Sequence, residues 1–411
     1  MQGEIIVIGD ELISGRIRDR NAHYLSLRLS SLGIIVNAIS AVGDNQENIN
    51  ELLDRAVARS EFVLVCGGLG PTDDDITAEV AAQFFKSPLI LDEKFLAYIK
   101  TSIEKRGLPW VEGYDKLAYL PDGARLIDPR GQVCGFHLSC EGVPVFFLPG
   151  VPEEVEFLAN SKVLPLLVSS DETRAVVRQR IFKVFGLQEA RIGELLQDLA
   201  DPEIGAQIGF YPNFPENHVS VTIRRDTVAE AEEALERIEA MVEDKLGEYI
   251  VARDSGTLEE TIGKLLNDRE LTIAVAESCT GGLICHRITQ AAGSSDYFER
   301  GIVVYSNESK IEQLHIPPEI IEAHGAVSAE TAAAMADGIR LVSRTGLGLA
   351  TTGIAGPTGG TPEKPVGTVF IALADAEEAL VERFQFSGTR AQIKTLTAQT
   401  ALDRVRRFLQ A

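Results

Sequence analysis

The sequence predicts an α/β protein: two doubly wound α/β domains separated by a small α+β module. Three observations carry that expectation. Apolar strand-like runs alternate with amphipathic helical segments over the first 90 residues, and the same alternation returns from Thr257 to Leu409. Between them, residues Asp171 to Ala252 change to paired strands and one long Glu-rich helix. The expected domains are 1–168, 169–253 and 254–411, consistent with 411 residues at about 100–200 per domain.

Each element follows from local pattern. EIIVIGD (Glu4 to Asp10) is an apolar strand, and the periodic segment Asn21 to Leu32 stops at Gly33, as helices do at a left-handed cap. Ile34 to Val42 reads as a strand, ENINELLDRAVARS as a helix and Phe62 to Cys66 as a buried strand. This βαβαβ order favours a parallel sheet with right-handed crossovers and a ligand site beyond the carboxyl ends of the strands, where Gly9-Asp10-Glu11 and the loop after Cys66 fall. Short strands from Leu126 to Leu148 suggest hairpins, and a helix opens at Pro152 with two Glu in its first turn. The middle stretch offers strands Gln179 to Val184, Ile208 to Tyr211 and Val219 to Arg224, with helices Glu189 to Leu199 and Val228 to Leu246. After the polar joint Arg253-Asp254-Ser255-Gly256 come a helix from Thr257 to Asp268, the strand LTIAVAE and a Ser-Cys-Thr-Gly-Gly turn. A helix to Ala292, the strand GIVVYS, an Ala-rich helix after Ser328, the strand GLGLATTG, a Gly/Pro loop, the strand TVFIAL and a helix from Thr389 to Leu409 complete the chain, with no internal repeat.

Composition narrows the function classes. With 61 Asp+Glu against 39 Lys+Arg the net charge is −22, which would repel a nucleic-acid backbone unless a basic patch intervened. No apolar run reaches membrane-spanning length, and Met1-Gln2-Gly3-Glu4 lacks a basic signal start, so a cytoplasmic protein without membrane association is expected. The five cysteines are odd in number and contain no C-x-x-C pair, which argues for free thiols.

The loop CGGLGPTDDDIT (Cys66 to Thr77) joins a buried strand to a helix. Gly67, Gly68 and Gly70 let backbone N–H groups approach an anion, with Thr72 beside them, and the helix N-terminus adds partial positive charge. Asp73, Asp74 and Asp75 would repel a phosphate there unless a hard divalent cation bridges the two; alternatively, Asp75 caps the helix. Asp44, in VGDN, converges on the same sheet edge or caps the helix beginning near Gln46. The segments GDELISGRIRDRN, VGDN, GGLGPTDDDIT and LPGVPEEVEFL together resemble the amino-terminal domain of the CinA family, which is related to molybdopterin-binding proteins. The resemblance implies metal-dependent hydrolysis of the ADP-ribose pyrophosphate bond, with Asp44, Asp74 and Asp75 as metal ligands and Asp75 as a catalytic group. The implied cofactor is a magnesium-like or other hard or borderline divalent cation, with K+ as a companion. One departure stands out: the sequence Gly131-Gln132-Val133-Cys134-Gly135 replaces the family's usual Gly-Thr-Ala-Pro-Gly.

A second constellation lies near the carboxyl end. AVAESCTGG ends a strand in a small-residue turn, where a serine would stand at the sheet edge and the N–H groups of Thr280, Gly281 and Gly282 would converge as an oxyanion hole. Ser278 is a nucleophile or, alternatively, the cap of the next helix. GIVVYSNESK brings Tyr305, Asn307 and Lys310 to the carboxyl end of the adjacent strand, where a lysine in a dry cleft can act as base; a solvated surface lysine is the plainer reading. Cys279, with His286 seven residues on, is the rival nucleophile. The loop Ala350 to Val369 can bring Gly353, Gly356, Gly359 and Gly360 close to a ligand, and Arg390 can grip a phosphate or form a surface ion pair.

AESCTGG, GIVVYSNESK, GIAGPTGG with KPVGTV, and FSGTR resemble the nicotinamide-nucleotide amidase domain found alone or at the carboxyl end of CinA. That implies conversion of nicotinamide mononucleotide to nicotinate mononucleotide and ammonia, with Ser278 as nucleophile, Lys310 as base, Tyr305 as a supporting hydroxyl and no cofactor. A homodimer is implied as well. In the family the middle stretch resembles a KH-type module, so a non-catalytic nucleic-acid or competence-associated binding protein is the alternative. Against it, the stretch has no G-x-x-G loop and 17 acidic residues to 9 basic.

Overall fold

The computed structural model describes every residue except 112, 129–133, 170–175 and 201–204, and the side chain of residue 200. The chain divides into two compact units, one of Met1–Arg178 with Ile223–Ala234 and one of Gln179–Thr222 with Leu235–Ala411. Strands are numbered in chain order.

In the first unit they are β1 (Gln2–Ile8), β2 (Ile35–Val42), β3 (Phe62–Cys66), β4 (Leu89–Leu91), β5 (Tyr119–Pro121), β6 (Arg125–Leu126), β7 (Phe136–Cys140) and β8 (Val143–Leu148). The main sheet has the order β2-β1-β3-β8-β7-β6. β2, β1, β3 and β8 run parallel, whereas β7 and β6 are antiparallel, so the expected parallel sheet is mixed. Its cause is the two-residue turn Glu141-Gly142: both residues have positive φ (51° and 88°), which suits a tight hairpin that returns β7 directly onto β8. β3, and β1 from Ile5 to Ile8, are apolar because both sheet faces are covered there. Ile5, Val7, Phe62 and Leu64 pack against Leu25 and Leu29 of the helix Asn21–Ser31, while Ile6, Ile8, Val63 and Val65 pack against Ile49 and Leu53 of the helix Gln46–Val57. A helix Glu93–Lys105, capped by Asp92 accepting from the Phe95 N–H at 2.9 Å, forms in a stretch the sequence patterns left unread.

The middle segment folds as a four-stranded sheet, β9 (Val176–Val184), β10 (Ala206–Asn213), β11 (Glu216–Arg225) and β12 (Ile250–Arg253), in the order β10-β11-β9-β12. The Glu-rich helix Val228–Leu246 accompanies it.

The last sheet contains β13 (Ile273–Glu277), β14 (Phe298–Val303), β15 (Leu347–Gly353), β16 (Thr368–Ala374) and β17 (Ala379–Gln385) in the order β14-β13-β15-β16-β17. β13 lies parallel to β14 and β15; β16 and β17 return antiparallel. One face (Ile273, Val275, Leu349) packs on the helices Leu258–Asp268, Leu283–Gln290 and Arg390–Gln410, and the other (Ala274, Ala276, Ala350) on Ala329–Ser343. β17 escapes the sequence patterns because, as an edge strand, it alternates exposed polar and half-buried residues.

Candidate active sites

Among the described residues, the sharpest constellation stands at the carboxyl ends of β14, β13 and β15. Ser278 follows β13 directly and its N–H donates to the Thr351 carbonyl at 3.0 Å, so the serine is held by the neighbouring strand. Lys310 reaches it from the helix Asn307–Leu314, not from the strand end where the sequence places it. Its Nζ lies 3.2 Å from Ser278 Oγ, with Ser278 8% and Lys310 1% exposed. The other partners of Nζ are main-chain carbonyls: Val304 at 2.9 Å, Tyr305 at 3.2 Å and Ser306 at 3.5 Å. Burial drives the Lys310 amine below the ordinary lysine value, only partly opposed by the Cys279 thiol and Glu308. A neutral amine has two N–H donors and one lone pair. It can satisfy two carbonyls and still accept the Ser278 proton, whereas an ammonium has no lone pair to offer.

Ser278 does not cap the following helix, whose N-cap is Gly282 in a left-handed conformation (φ 92°) that favours glycine. The helix end is satisfied by a side chain that sequence reasoning missed. The Glu277 carboxylate, fully buried, accepts from the N–H groups of Gly282 (2.9 Å), Ile284 (3.2 Å) and Cys285 (2.8 Å). This corrects the expected three-donor oxyanion hole, because the Gly282 N–H already has an acceptor. The signal was a lone acidic residue closing the apolar strand LTIAVAE. The buried Thr280 and Thr351 hydroxyls are 2.9 Å apart and fix the turn to β15.

The remaining predicted residues surround this pair unevenly. Tyr305 is 63% exposed, and its hydroxyl accepts from Arg390 at 3.1 Å, so it touches neither Ser278 nor Lys310 through that oxygen. Arg390 also donates to the Gly356 carbonyl at 2.7 Å, tying the Gly/Pro loop to the last helix, and it forms no ion pair among the described residues. Asn307 is exposed at the first helical position after the Ser306 cap, and Gly353 ends β15. Cys279 is buried and its thiol is pushed up to about 12 by desolvation, while His286, its expected partner, pairs with Gln290 at 3.1 Å.

In the first unit a cavity of about 730 Å³ opens at the carboxyl ends of β1 and β3. Asp44, Gly67, Gly68, Gly70, Asp74 and Asp75 line it, as do Tyr98 and Arg106. Gly67 has φ 109°, and a β-carbon there would collide with the Ile8 carbonyl oxygen, so the loop requires glycine. The Gly67 and Gly68 carbonyls bind Thr77 through its hydroxyl (2.9 Å) and N–H (3.0 Å).

Neither carboxylate expected as an alternative helix cap serves as one. Asp75 accepts from the Thr72 N–H at 2.9 Å and from the Thr72 hydroxyl, closing the turn, while the helix Thr77–Phe84 has no side-chain cap. Asn45, not Asp44, caps the helix at Gln46. Asp44 instead exchanges bonds with Asp10: its carboxylate accepts from the Asp10 N–H at 2.9 Å, and that of Asp10 from the Asp44 N–H at 3.1 Å. Burial, then the charges of Asp10, Glu11 and Asp74, hold Asp44 above its ordinary range. Among the described residues no three His, Cys, Asp or Glu side chains gather closely enough to hold a metal ion, so Asp44, Asp74 and Asp75 share the cavity without forming a ready-made cage. Lys116, unforeseen, donates to the Thr72 carbonyl at 2.8 Å. Of the departing loop, residues 131–133 lie outside the described residues, and Cys134 lines the cavity.

Fold and sites define an α/β protein with a buried serine-lysine pair at one sheet edge and a glycine-rich carboxylate loop at another. The chain belongs to the CinA family. Residues 4–168 match the family described as probable molybdopterin binding domain, 179–252 the damage-inducible protein CinA KH domain and 255–409 the CinA C-terminal domain. It is 44% identical over 410 residues to a CinA-like protein of Syntrophus aciditrophicus (99% of this chain, 98% of that one) and 42% identical to one of Dictyoglomus thermophilum (100% and 99%). A solved structure of competence/damage inducible protein CihA from Agrobacterium tumefaciens is 38% identical across 38% of this chain and 96% of its own, with a TM-score of 0.36. Among the described residues, no helix is long and apolar enough to cross a membrane.

Proposed function

We propose that the carboxy-terminal site hydrolyses the carboxamide of nicotinamide mononucleotide to nicotinate mononucleotide and ammonia. The observation that carries this reading is the 3.2 Å approach of a buried lysine amine, bonded otherwise to main-chain carbonyls among the described residues, to the Ser278 hydroxyl. Ser278 Oγ attacks the carboxamide carbon as its proton passes to Lys310 Nζ, and the oxyanion is met by the N–H groups of Thr280 and Gly281. Collapse breaks the C–N bond; the Lys310 ammonium returns the proton to the departing nitrogen, releasing ammonia. Water then attacks the ester with its proton passing to Lys310, and the acid leaves as Ser278 is reprotonated. Arg390, on the same sheet edge, would receive the nucleotide phosphate by releasing Tyr305 or Gly356.

The amino-terminal cavity is proposed to cleave the pyrophosphate of ADP-ribose. Its size suits a dinucleotide-like ligand, since ligand pockets run to roughly 300–1,000 Å³. Asp44, on which the charges of Asp10, Glu11 and Asp74 act, lines the cavity with Asp74 and Asp75, and these carboxylates would have to close on a divalent cation to hold it. When bound, such an ion neutralises phosphate charge and acidifies water. The Gly67–Gly70 backbone would orient the phosphates.

Product analysis on the full-length protein tests both readings. Ammonia release from nicotinamide mononucleotide is expected at an equal rate with and without EDTA; AMP and ribose 5-phosphate should form from ADP-ribose only with added divalent metal. No ammonia, or metal-independent cleavage of ADP-ribose, overturns the corresponding reading.

A further inference from the structure

The Ser278 and Lys310 pair leaves unexplained a fully buried carboxylate on the residue immediately before the nucleophile. Glu277 is bound through the backbone to both flanking strands: it is in register with Val303 and Thr351, and its carbonyl accepts from the Val304 N–H at 2.8 Å. Its carboxylate crosses the whole turn to take the N–H groups of Gly282, Ile284 and Cys285. No cation forms an ion pair with it among the described residues. Uncharged serine or threonine caps satisfy a helix end without burying a charge, and this chain uses them at Thr257, Ser328 and Thr389. A desolvated carboxylate is a costly substitute, stabilised here by three charge-assisted bonds and the helix dipole. What it adds over a hydroxyl is reach and stiffness. With Glu277 anchored in the sheet and Gly282 anchored to Glu277, the four residues 278–281 are pinned at both ends.

We infer that Glu277 is a positioning residue for the amide hydrolysis, holding the Ser278–Gly281 turn so that the nucleophile stays beside Lys310 and the Thr280 and Gly281 N–H groups face the oxyanion. The inference rests on the proposed serine-lysine reading. Glu277 touches no reacting atom; it acts through the turn.

The test uses the full-length chain and the substitution Glu277→Gln, which keeps the side-chain length but replaces one acceptor oxygen by a donor that cannot receive a main-chain N–H. Two rates are read per folded molecule: ammonia release from nicotinamide mononucleotide, and phosphonylation of Ser278 by a fluorophosphonate. In the latter, the Ser278 Oγ–P bond forms, P–F breaks, fluoride leaves and the serine proton passes to Lys310. The expected result is a roughly 10- to 100-fold fall in kcat and a similar slowing of phosphonylation, with KM changed less than about threefold. Unchanged rates in the folded fraction, with only a lower Tm, or a loss confined to KM, would overturn it. Should Glu277→Gln fail to fold, Glu277→Asp, which keeps the charge but shortens the reach, is read the same way. The two readings separate cleanly. A parent that phosphonylates at Ser278 yet releases no ammonia refutes the substrate, while the Glu277 comparison still stands on the phosphonylation rate.

Discussion

Lys310 is the residue on which the carboxy-terminal site turns, and its burial predicts two pH effects. Ammonia release should rise with pH as the amine loses its proton and level off at a value below that of free lysine, and Lys310→Met should lose about 10²–10⁴ in rate. For stability, the folded amine titrates below the unfolded one at about 10.4, so the unfolded chain binds more protons in between. The penalty of burying the charge is fully present below the folded value and fades as pH rises towards the unfolded value. Thermal scans of the parent and Lys310→Met should therefore shift in favour of the variant as pH falls from 10 to about 6; parallel curves would contradict a depressed lysine. Asp44 carries the opposite sign. Its folded value is raised, so its cost is fully present above that value and fades as pH falls through it. In EDTA at neutral pH, Asp44→Asn should melt higher than the parent, with the gap closing in acid, and it should lose any magnesium-dependent rise in Tm. At this scale the sequence was partly legible. Ser278 and the glycine loop announced themselves by residue type at strand ends, whereas Glu277 did not, since whether a strand's terminal carboxylate meets water or backbone N–H groups depends on where the next helix packs.

Among elements, those with strong local signals formed where their patterns placed them. Thr257 caps the helix Leu258–Asp268 in a reciprocal box, accepting from the Glu260 N–H at 3.2 Å while its own N–H donates to Glu260 at 2.9 Å. Thr257→Ala should cost about 1 kcal/mol, read as a lower urea midpoint for the second unit; an unchanged midpoint would mean the cap is idle. β17 and the helix Glu93–Lys105 were not legible, one because an edge strand needs no continuous apolar face, the other because few of its residues are buried. Lys310 shows the subtler failure: GIVVYSNESK reads as one extended segment, yet the Ser306 hydroxyl accepts from the Ser309 N–H at 3.1 Å and turns the chain into a helix that aims the amine back at Ser278. That cap, invisible as a strand signal, builds the site.

In the whole molecule, the same α/β logic appears twice with different chemistry at the sheet edge: carboxylates and open glycine backbone in one unit, a dry serine-lysine pair in the other. Because each set of residues lies within its own compact unit, the proposed activities should be separable by point substitution in the full-length chain. Asp75→Ala is expected to abolish metal-dependent ADP-ribose cleavage and leave ammonia release within about twofold; a loss of both would mean that the two sites are coupled. The most direct measurement of the central claim is ammonia release from nicotinamide mononucleotide by the full-length protein carrying Ser278→Ala, measured beside the parent. A proton-transferring nucleophile predicts a fall of at least about a thousandfold in a variant that still folds; release at the parental rate would contradict it.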